Sequence, residues 1–191
     1  MNDADLTAVR QQVIGAFRWV DGHADLSRVF RSAEVLRVVG AALAAPFGAA
    51  AVTVVASPEA RGFVLGALVA RELATGLVLV RKQGSHHPGA SVQVRTAPDW
   101  RGRELLLRLH PDALRPTDRV LVVDDWIETG SQAAAIQTLV TRCGAQVVGV
   151  AALVDDTTEP TRRRLNLHGL LRSADLPADE HGTSQRSQHD R

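Results

Sequence analysis

The chain has 191 residues, of which 45% are hydrophobic and 23% are charged, a composition typical of a folded domain with its own core. The formal net charge is only +1, which argues against nucleic acid or an anionic membrane as a partner. One cysteine, Cys143, excludes a disulfide framework and a multi-cysteine zinc site. The first residues are acidic where a signal peptide would be basic, and no apolar run is long enough to span a bilayer. We therefore expect a cytoplasmic protein.

The first half of the chain predicts helices followed by a strand–helix–strand unit. Apolar residues at helical spacing predict helices over residues 6–20 and 33–45. A β-branched run predicts a buried strand over 51–56. A helix over 61–73 and a second buried strand over 77–80 follow. This order predicts that the two strands lie parallel in one sheet.

The second half continues the alternation of strands and helices. Residues 91–95 and 104–109 are expected to pair as a hairpin, after a stretch rich in Gly, Pro, His and Ser. Strands over 119–123 and 146–154 enclose a helix over 131–143. The pattern predicts an α/β fold, in which ligands bind at the carboxyl ends of the strands.

The most informative segment is a buried strand that ends in Asp124 and Asp125 and leads through a tight turn into a helix. Unpaired N–H groups at a helix start stabilise an anion. Thr129 and Ser131 add hydroxyl groups there, and Gly130 lets the backbone approach a phosphate closely. Two carboxylates beside a phosphate site suit a ligand that also carries ribose hydroxyls or Mg²⁺. The segment therefore predicts a sugar-phosphate site.

Other interpretations of this segment are weaker. Acidic residues, Thr and Gly also cap ordinary helices. Receiver domains begin with an acidic pair, but near their N-terminus, whereas most of this chain precedes Asp124. Neither a Walker A loop nor a G-x-G-x-x-G segment occurs, which argues against the common nucleotide folds.

The segment resembles the phosphoribosyl pyrophosphate (PRPP) signature of type I phosphoribosyltransferases, and the chain as a whole resembles their adenine phosphoribosyltransferase branch. The resemblance covers roughly residues 25–155, with several motifs in the family's order. The matching motifs are Val29-Phe30-Arg31, Glu59-Ala60-Arg61-Gly62-Phe63, Arg81-Lys82-x-Gly84 and Leu109-His110-x-Asp112-Ala113.

The resemblance implies an α/β, type I phosphoribosyltransferase fold: a central, mainly parallel sheet flanked by helices, a small N-terminal hood and a mobile hairpin loop. The domain is expected to span residues 1–173, with the hood formed by about 1–45. Residues 174–191 are polar and expected to be a disordered tail. The family resemblance also implies a homodimer.

The implied reaction transfers ribose 5-phosphate from PRPP to a purine base and releases pyrophosphate. Arg61, Arg81 and Lys82 are expected to face the pyrophosphate, and Asp124 and Asp125 the ribose. Mg²⁺ is expected to arrive bound to PRPP, with those two aspartates as its nearest protein groups. Val29 and Arg31 stand where the family contacts the base. The expected PRPP-binding residues are Glu59, Ala60, Arg61, Arg81, Lys82, Asp124, Asp125, Glu128, Thr129, Gly130, Ser131 and Gln132.

The chain departs from the adenine enzymes in its expected proton acceptor. They carry a Glu followed by Tyr in the hood loop, where this chain has Gln93 and no tyrosine anywhere. Glu128 stands where the adenine branch usually has Ala and hypoxanthine–guanine enzymes have Asp. We hypothesise that Glu128 exchanges the proton of the base; the alternative is that it caps the following helix.

Further departures leave alternatives open. Gln132 replaces the usual Thr of the phosphate loop, and the loop over 84–89 contains His86 and His87 but lacks the family's lysine. Glu59 and Arg61 could simply pair across a helix start. A 6-oxopurine enzyme and a non-catalytic PRPP or nucleotide regulator therefore stay as alternatives.

Overall fold

The computed structural model describes residues 2–84, 89–98 and 102–178. Helices and strands alternate along most of the described chain. The helices are α1 (Asp3–Ala16), α2 (Ser27–Arg31), α3 (Ala33–Ala44), α4 (Arg61–Glu72), α5 (Ser131–Arg142) and α6 (Glu159–Leu165). The strands are β1 (Arg18–Val20), β2 (His23–Asp25), β3 (Val54–Pro58), β4 (Gly76–Lys82), β5 (Val92–Arg95), β6 (Leu106–Leu109), β7 (Arg119–Ile127), β8 (Gln146–Asp155) and β9 (Leu167–Leu171).

A seven-stranded sheet with the order β5-β6-β4-β3-β7-β8-β9 forms the centre of the described structure. Strands β4, β3, β7, β8 and β9 are parallel to their neighbours, and the β5–β6 hairpin joins the edge of β4 in the antiparallel sense. The predicted mainly parallel α/β sheet is confirmed, and so are the parallel β3–β4 pair and the hairpin. The hairpin's turn at 99–101 and the loop residues His86 and His87 lie outside the described residues.

Helices cover both faces of the sheet and divide the core in two. On one face, α3 and α4 pack against inward side chains such as Leu121 and Val123. On the other face, α5 packs against Val120 and Val122. All four side chains are fully buried, because a central parallel strand is covered on both sides. This explains the uninterrupted apolar run that precedes the aspartates.

The start of the chain differs from the prediction, because the expected helix over 6–20 ends at Ala16. Apolar spacing continues to Phe17, which is buried, but the backbone there is already extended. Strands β1 and β2 then form an antiparallel hairpin around Asp21 and Gly22, which both have positive φ. Asp-Gly is a strong signal for such a two-residue turn, and the helical pattern concealed it.

The end of the domain also extends further than predicted. Helix α6 and strand β9 follow β8, and neither was predicted. Leu176 is buried, and the Trp19 indole N–H donates to the Pro177 carbonyl (2.8 Å). The first residues of the expected tail therefore pack on the domain, while 179–191 lie outside the described residues. In the part of the chain that is described, no helix has the length and apolar character needed to cross a bilayer.

Candidate active site

Asp124 and Asp125 lie where the ladder between the two central strands stops. The β3–β7 register ends at Ala56 opposite Val122, whereas β7 continues to pair with β8 beyond that point. The two aspartates therefore have a strand neighbour on one side only. Both are buried, at 5% and 8% exposure, at the carboxyl edge of the sheet. A cleft opens beside Asp124 in this position, where α/β folds bind ligands.

Glycine is required at the start of α5. Gly130 is the N-cap residue and has φ +76°, a left-handed conformation that side chains disfavour. A Cβ atom there would lie 2.8 Å from Thr161 Cγ2 and 2.9 Å from Leu165 Cδ1. Gly130 itself has no side chain to cap this helix. Apart from the Ser131 N–H, which donates to Thr129 Oγ1, the N–H groups of the first turn are donors of the kind that binds a phosphate.

Two hydroxyl groups shape the turn before α5. The Oγ atoms of Thr129 and Ser131 are 2.9 Å apart, and the Ser131 backbone N–H donates to Thr129 Oγ1 (3.2 Å). Ser131 Oγ also donates to the Pro98 carbonyl (3.4 Å), which belongs to the segment after β5. The predicted phosphate turn is therefore linked to the hairpin side of the cleft.

Asp124 is held by its neighbours in a buried position. The Asp125 backbone N–H donates to its Oδ1 (2.8 Å), and the Gln132 side-chain amide donates to its Oδ2 (2.7 Å). Burial first, and then the charge of Asp125, raise the pKa of Asp124 well above its ordinary value of 3.8; the hydrogen bond from Gln132 opposes that rise. Gln132 was predicted as a phosphate residue, and its side chain instead contacts the carboxylate.

The two predicted arginines form ion pairs within the site. Arg61 Nε lies 2.7 Å from Asp125 Oδ2, and Arg81 Nε lies 3.3 Å from Glu59 Oε2. The alternative pairing of Glu59 with Arg61 is therefore wrong. Asp125 Oδ2 is buried and accepts no aligned hydrogen bond, so its contact with Arg61 is mainly electrostatic. These pairs bring together three motifs that are far apart in the sequence.

The remaining residues of the predicted pyrophosphate site lie on the same edge of the sheet. The Glu59–Ala60 peptide bond is cis, and Ala60 precedes the first turn of α4. The Arg81 guanidinium also stacks over the Phe63 ring, 5.8 Å from its centroid. Lys82 ends β4, and its carbonyl accepts a hydrogen bond from Arg108 (3.5 Å).

An aromatic cluster joins the hood to the site. Trp126, next to the aspartates, packs against Trp19 and Phe17, with ring centroids 5.9 and 6.4 Å away. Arg61 adds a polar link, because its Nη1 donates to the Ala24 carbonyl on β2 (3.2 Å). Trp126 thus contacts the hood and also lines the cleft.

The cleft has a volume of about 190 Å³. Glu128 is exposed and lines it, together with Asp124 and the turn residues. The other residues that line the cleft come from the hairpin, from β7, from the turn after it and from α5. They are Thr96, Ala97, Arg103, Leu105, Trp126, Ile127, Thr129, Gly130, Ser131, Gln132 and Ala133.

The residues predicted to contact the base lie apart from this cleft. Val29 is fully buried in the core of the hood. Arg31 is exposed and lines a separate cleft between α1 and α3, with Arg28 and Glu34. Gln93 lies on β5, where its side-chain amide donates to Ser91 (2.8 Å) and its carbonyl accepts from Arg142 (2.7 Å). Val29 and Arg31 thus do not line the cleft beside Asp124.

Several residues of the site were missed in the sequence. Thr96 and Arg103 reach the cleft from the hairpin, and Ala24 reaches Arg61 from the hood. Ser57 lies buried between the two central motifs. None of them carries a local signal, because each acquires its neighbours only through the pairing of distant strands. The Asp-Gly turn was the single clue to the position of Ala24.

Comparison with known proteins identifies the family. The model of the phosphoribosyl transferase domain matches residues 27–167. Adenine phosphoribosyltransferases of Nocardioides sp. and Jannaschia sp. are 43% and 37% identical over 145 and 131 residues. These alignments cover 74% and 69% of this chain and 77% and 72% of those proteins.

A solved structure has the same architecture. The adenine phosphoribosyltransferase of Rhodothermus marinus superposes with a TM-score of 0.75 and 34% identity, covering 90% of this chain and 99% of that one. The family and the fold inferred from the sequence motifs are thus confirmed. This chain belongs to the phosphoribosyltransferase family and is of the adenine phosphoribosyltransferase type.

Proposed function

We propose that this protein transfers ribose 5-phosphate from PRPP to adenine, forming AMP and releasing pyrophosphate. The observation that carries this proposal is the meeting of Arg61 with Asp125 at the cleft. It joins the segment predicted for pyrophosphate to the segment predicted for the ribose. The helix start at Gly130 follows β7 directly, and its backbone N–H groups support it as the site of the 5′-phosphate.

The chemistry requires charge of both signs. When the bond between ribose C1 and the pyrophosphate oxygen breaks, positive charge develops on the sugar ring and negative charge on the leaving group. Arg61 and Arg81 are the cations proposed to stabilise pyrophosphate. Asp124 and Asp125 are proposed to bind the ribose hydroxyls and to stabilise the positive ring. The Arg61–Asp125 ion pair brings one charge of each sign together at the site.

Thr129, Gly130, Ser131 and Gln132 are proposed to bind the 5′-phosphate, chiefly through backbone N–H groups. Gly130 supports this role, since only a residue without a side chain fits this left-handed turn against Thr161 and Leu165. Gln132 contributes its backbone, because its side chain is engaged with Asp124. Ala60 and Lys82, at the ends of their turn and strand, are proposed to complete the pyrophosphate contacts.

The residues present fit Mg²⁺ that is bound mainly by the substrate. No cluster of three or more candidate ligands occurs in the described parts of the chain, so the protein does not form a cage of its own there. Asp124, which lines the cleft, and the adjacent Asp125 are the carboxylates that would contact the ion or its waters. Mg²⁺ usually binds through few carboxylates and through substrate phosphates. When bound, it would neutralise charge on the pyrophosphate.

Glu128 is the proposed proton acceptor for the purine ring nitrogen. It is exposed at the cleft, beside the phosphate turn. The test is Glu128→Gln, which keeps the size and removes the base. We expect a fall in kcat of about 100-fold or more, the contribution typical of general base catalysis. Glu72→Gln, an exposed change on α4, is the control, and an unchanged kcat for Glu128→Gln would overturn the assignment.

The overall proposal is tested by measuring AMP formation and pyrophosphate release with PRPP, Mg²⁺ and a panel of adenine, hypoxanthine, guanine and xanthine. Release with adenine alone supports the proposal. If the protein prefers a 6-oxopurine, that base and not adenine is its substrate. Tight PRPP binding without turnover on any base would favour a regulator instead.

A double variant tests the site itself. Asp124→Asn with Asp125→Asn should abolish measurable turnover, whereas Asp3→Asn on the surface of α1 should not change it. Full activity in the double variant would contradict the proposed site.

Assembly, location and domain extent are also proposals. A homodimer is supported by exposed apolar side chains, among them Val64 on α4 and Leu79 on β4. Sedimentation at micromolar concentration tests it. A cytoplasmic location is proposed as well. Truncation after Ser173, compared with truncation after the packed Leu176, tests whether the domain covers residues 1–173.

A further inference from the structure

Proline occupies an unusual position in the centre of the sheet. Pro58 ends β3, which lies between β4 and β7 in the middle of the seven strands. Proline cannot donate a backbone hydrogen bond and is normally confined to edge strands or strand ends. Some other group must therefore satisfy the carbonyl that residue 58 would have bound.

The register identifies that carbonyl. The Glu59 N–H donates to the Val80 carbonyl on β4 (3.0 Å), and successive residues of a strand point to opposite neighbours. Residue 58 would therefore direct its N–H towards β7. If the pairing of Ala56 with Val122 continued by two residues, residue 58 would lie opposite Asp124. In a parallel ladder its N–H would then face the carbonyl of the preceding residue, Val123. Because residue 58 is proline, the ladder gives Val123 no donor from β3.

The Ser57 hydroxyl lies where that donor is missing. Its Oγ is 2.5 Å from the Val123 carbonyl oxygen and 2.7 Å from the Gly62 carbonyl oxygen. Because the hydroxyl has one proton, it donates to one of these carbonyls at a time. The side chain is fully buried. Val123 directly precedes Asp124, and Gly62 directly follows Arg61. One hydroxyl thus contacts the backbone beside both halves of the proposed site.

The surroundings leave little room for adjustment. A Cβ atom on Gly62 would lie 3.1 Å from both Asp124 Oδ1 and Ser57 Oγ. A Cβ atom on Gly66 would lie 2.7 Å from Ser57 Cβ. The start of α4, the end of β3 and the Asp124 carboxylate are therefore packed directly against one another, so a shift in one segment displaces the others.

We propose that Ser57 is a positioning residue, which replaces the N–H absent from Pro58 and fixes the pyrophosphate segment relative to the aspartates of β7. This inference rests on the proposed function. It assigns Ser57 no contact with substrate. Ser57 would affect PRPP binding indirectly, because it holds the backbone next to Arg61 and Asp124.

The test restores the missing donor. Ser57→Ala should lower kcat/KM for PRPP about tenfold, the usual effect of one lost buried hydrogen bond, with KM for adenine nearly unchanged. Pro58→Ala alone should have little effect. Ser57→Ala combined with Pro58→Ala returns an N–H to Val123 and should recover most of the lost kcat/KM. Thr75→Ala removes another buried hydroxyl, one without a hydrogen-bond partner among the described residues, and is the matched control.

Three results would overturn the proposal: full activity in Ser57→Ala, failure of Pro58→Ala to rescue it, or equal losses for PRPP and adenine. If Ser57→Ala does not fold, Ser57→Cys, which keeps a weak donor, should show the same selective loss for PRPP.

The outcome can be separated from failure of the proposed function. If the wild type transfers no ribose 5-phosphate, that function fails, and amide hydrogen exchange then tests Ser57 directly. Exchange over 120–127 should be faster in Ser57→Ala and return towards the wild-type rate in the double variant. Unchanged exchange in Ser57→Ala would contradict the positioning role even then.

Discussion

Arg61 Nε lies 2.7 Å from Asp125 Oδ2, and the same guanidinium donates to the Ala24 carbonyl of the hood. One side chain therefore connects the pyrophosphate segment, the ribose carboxylate and the hood. Arginine has five N–H donors, so these two contacts leave others for a phosphate oxygen. About half of the side chain is exposed, which keeps it within reach of a ligand. The described site is thus organised around this arginine.

We expect Arg61→Lys to raise KM for PRPP roughly 10- to 100-fold, because an ammonium group cannot keep the forked geometry of a guanidinium. KM for adenine should change little. Steady-state kinetics with each substrate varied in turn would measure both values. Arg71→Lys, an exposed change on the same helix, should match the wild type. An unaltered KM for PRPP in Arg61→Lys would show that Arg61 does not bind pyrophosphate.

Asp124→Asn should stabilise the protein at neutral pH while it impairs catalysis. The folded state raises the pKa of Asp124, chiefly through burial. Asp124 therefore favours folding most at pH values below its unfolded pKa of about 3.9, and this contribution is lost as the pH rises through the folded pKa. Asparagine has no ionisable proton, so the variant does not lose stability in this pH range. Thermal unfolding without PRPP should give a higher Tm for the variant at pH 7.5, with the difference shrinking towards pH 4. A lower Tm for the variant at pH 7.5 would contradict the prediction.

Gly130→Ala should destabilise the protein by about 1–3 kcal/mol, because alanine disfavours a φ of +76° and its Cβ would collide with Thr161 and Leu165. For a domain of this size, that is a fall in Tm of roughly 2–4 °C per kcal/mol. The control is Gly15→Ala in α1, where a Cβ meets nothing within 4 Å and should be neutral or stabilising. Equal Tm values for both variants would show that the turn before α5 can rearrange.

Asp155→Ala should cost about 1–3 kcal/mol, because it removes a buried carboxylate that accepts several hydrogen bonds and leaves two partly exposed arginines without their shared partner. Asp155 is 1% exposed and accepts hydrogen bonds from Thr157, from Arg162 (2.5 Å) and from Arg172 (3.0 Å). Denaturant unfolding would measure the loss. Glu159→Ala removes an exposed partner of the same Arg162 and should cost less than about 1 kcal/mol. If both variants lost a similar free energy of unfolding, the burial of Asp155 would not explain its importance.

The sequence was most reliable where the signal is local. The apolar run before Asp124 predicted a buried strand, since a central parallel strand needs apolar residues on both faces, and Gly130 followed from the conformational demand of a tight turn. The order of the motifs along the chain was enough to predict the fold. Prediction was weakest at Arg18–Val20, where Phe17 prolonged the helical spacing of α1 and masked a strand. It also missed β9, although that strand is paired with β8.

Local sequence establishes which chemical groups are available: two aspartates after a strand, a glycine turn and two basic segments. Their partners depend on the tertiary structure, which pairs Arg61 with Asp125 and brings the Gln132 side chain to Asp124. The physical reason is that backbone conformation depends on neighbours in the chain, whereas ion pairs and buried hydrogen bonds depend on which strands lie side by side. Adjacency of β3 and β7 places Ser57 against Val123, and no spacing within either segment encodes that contact.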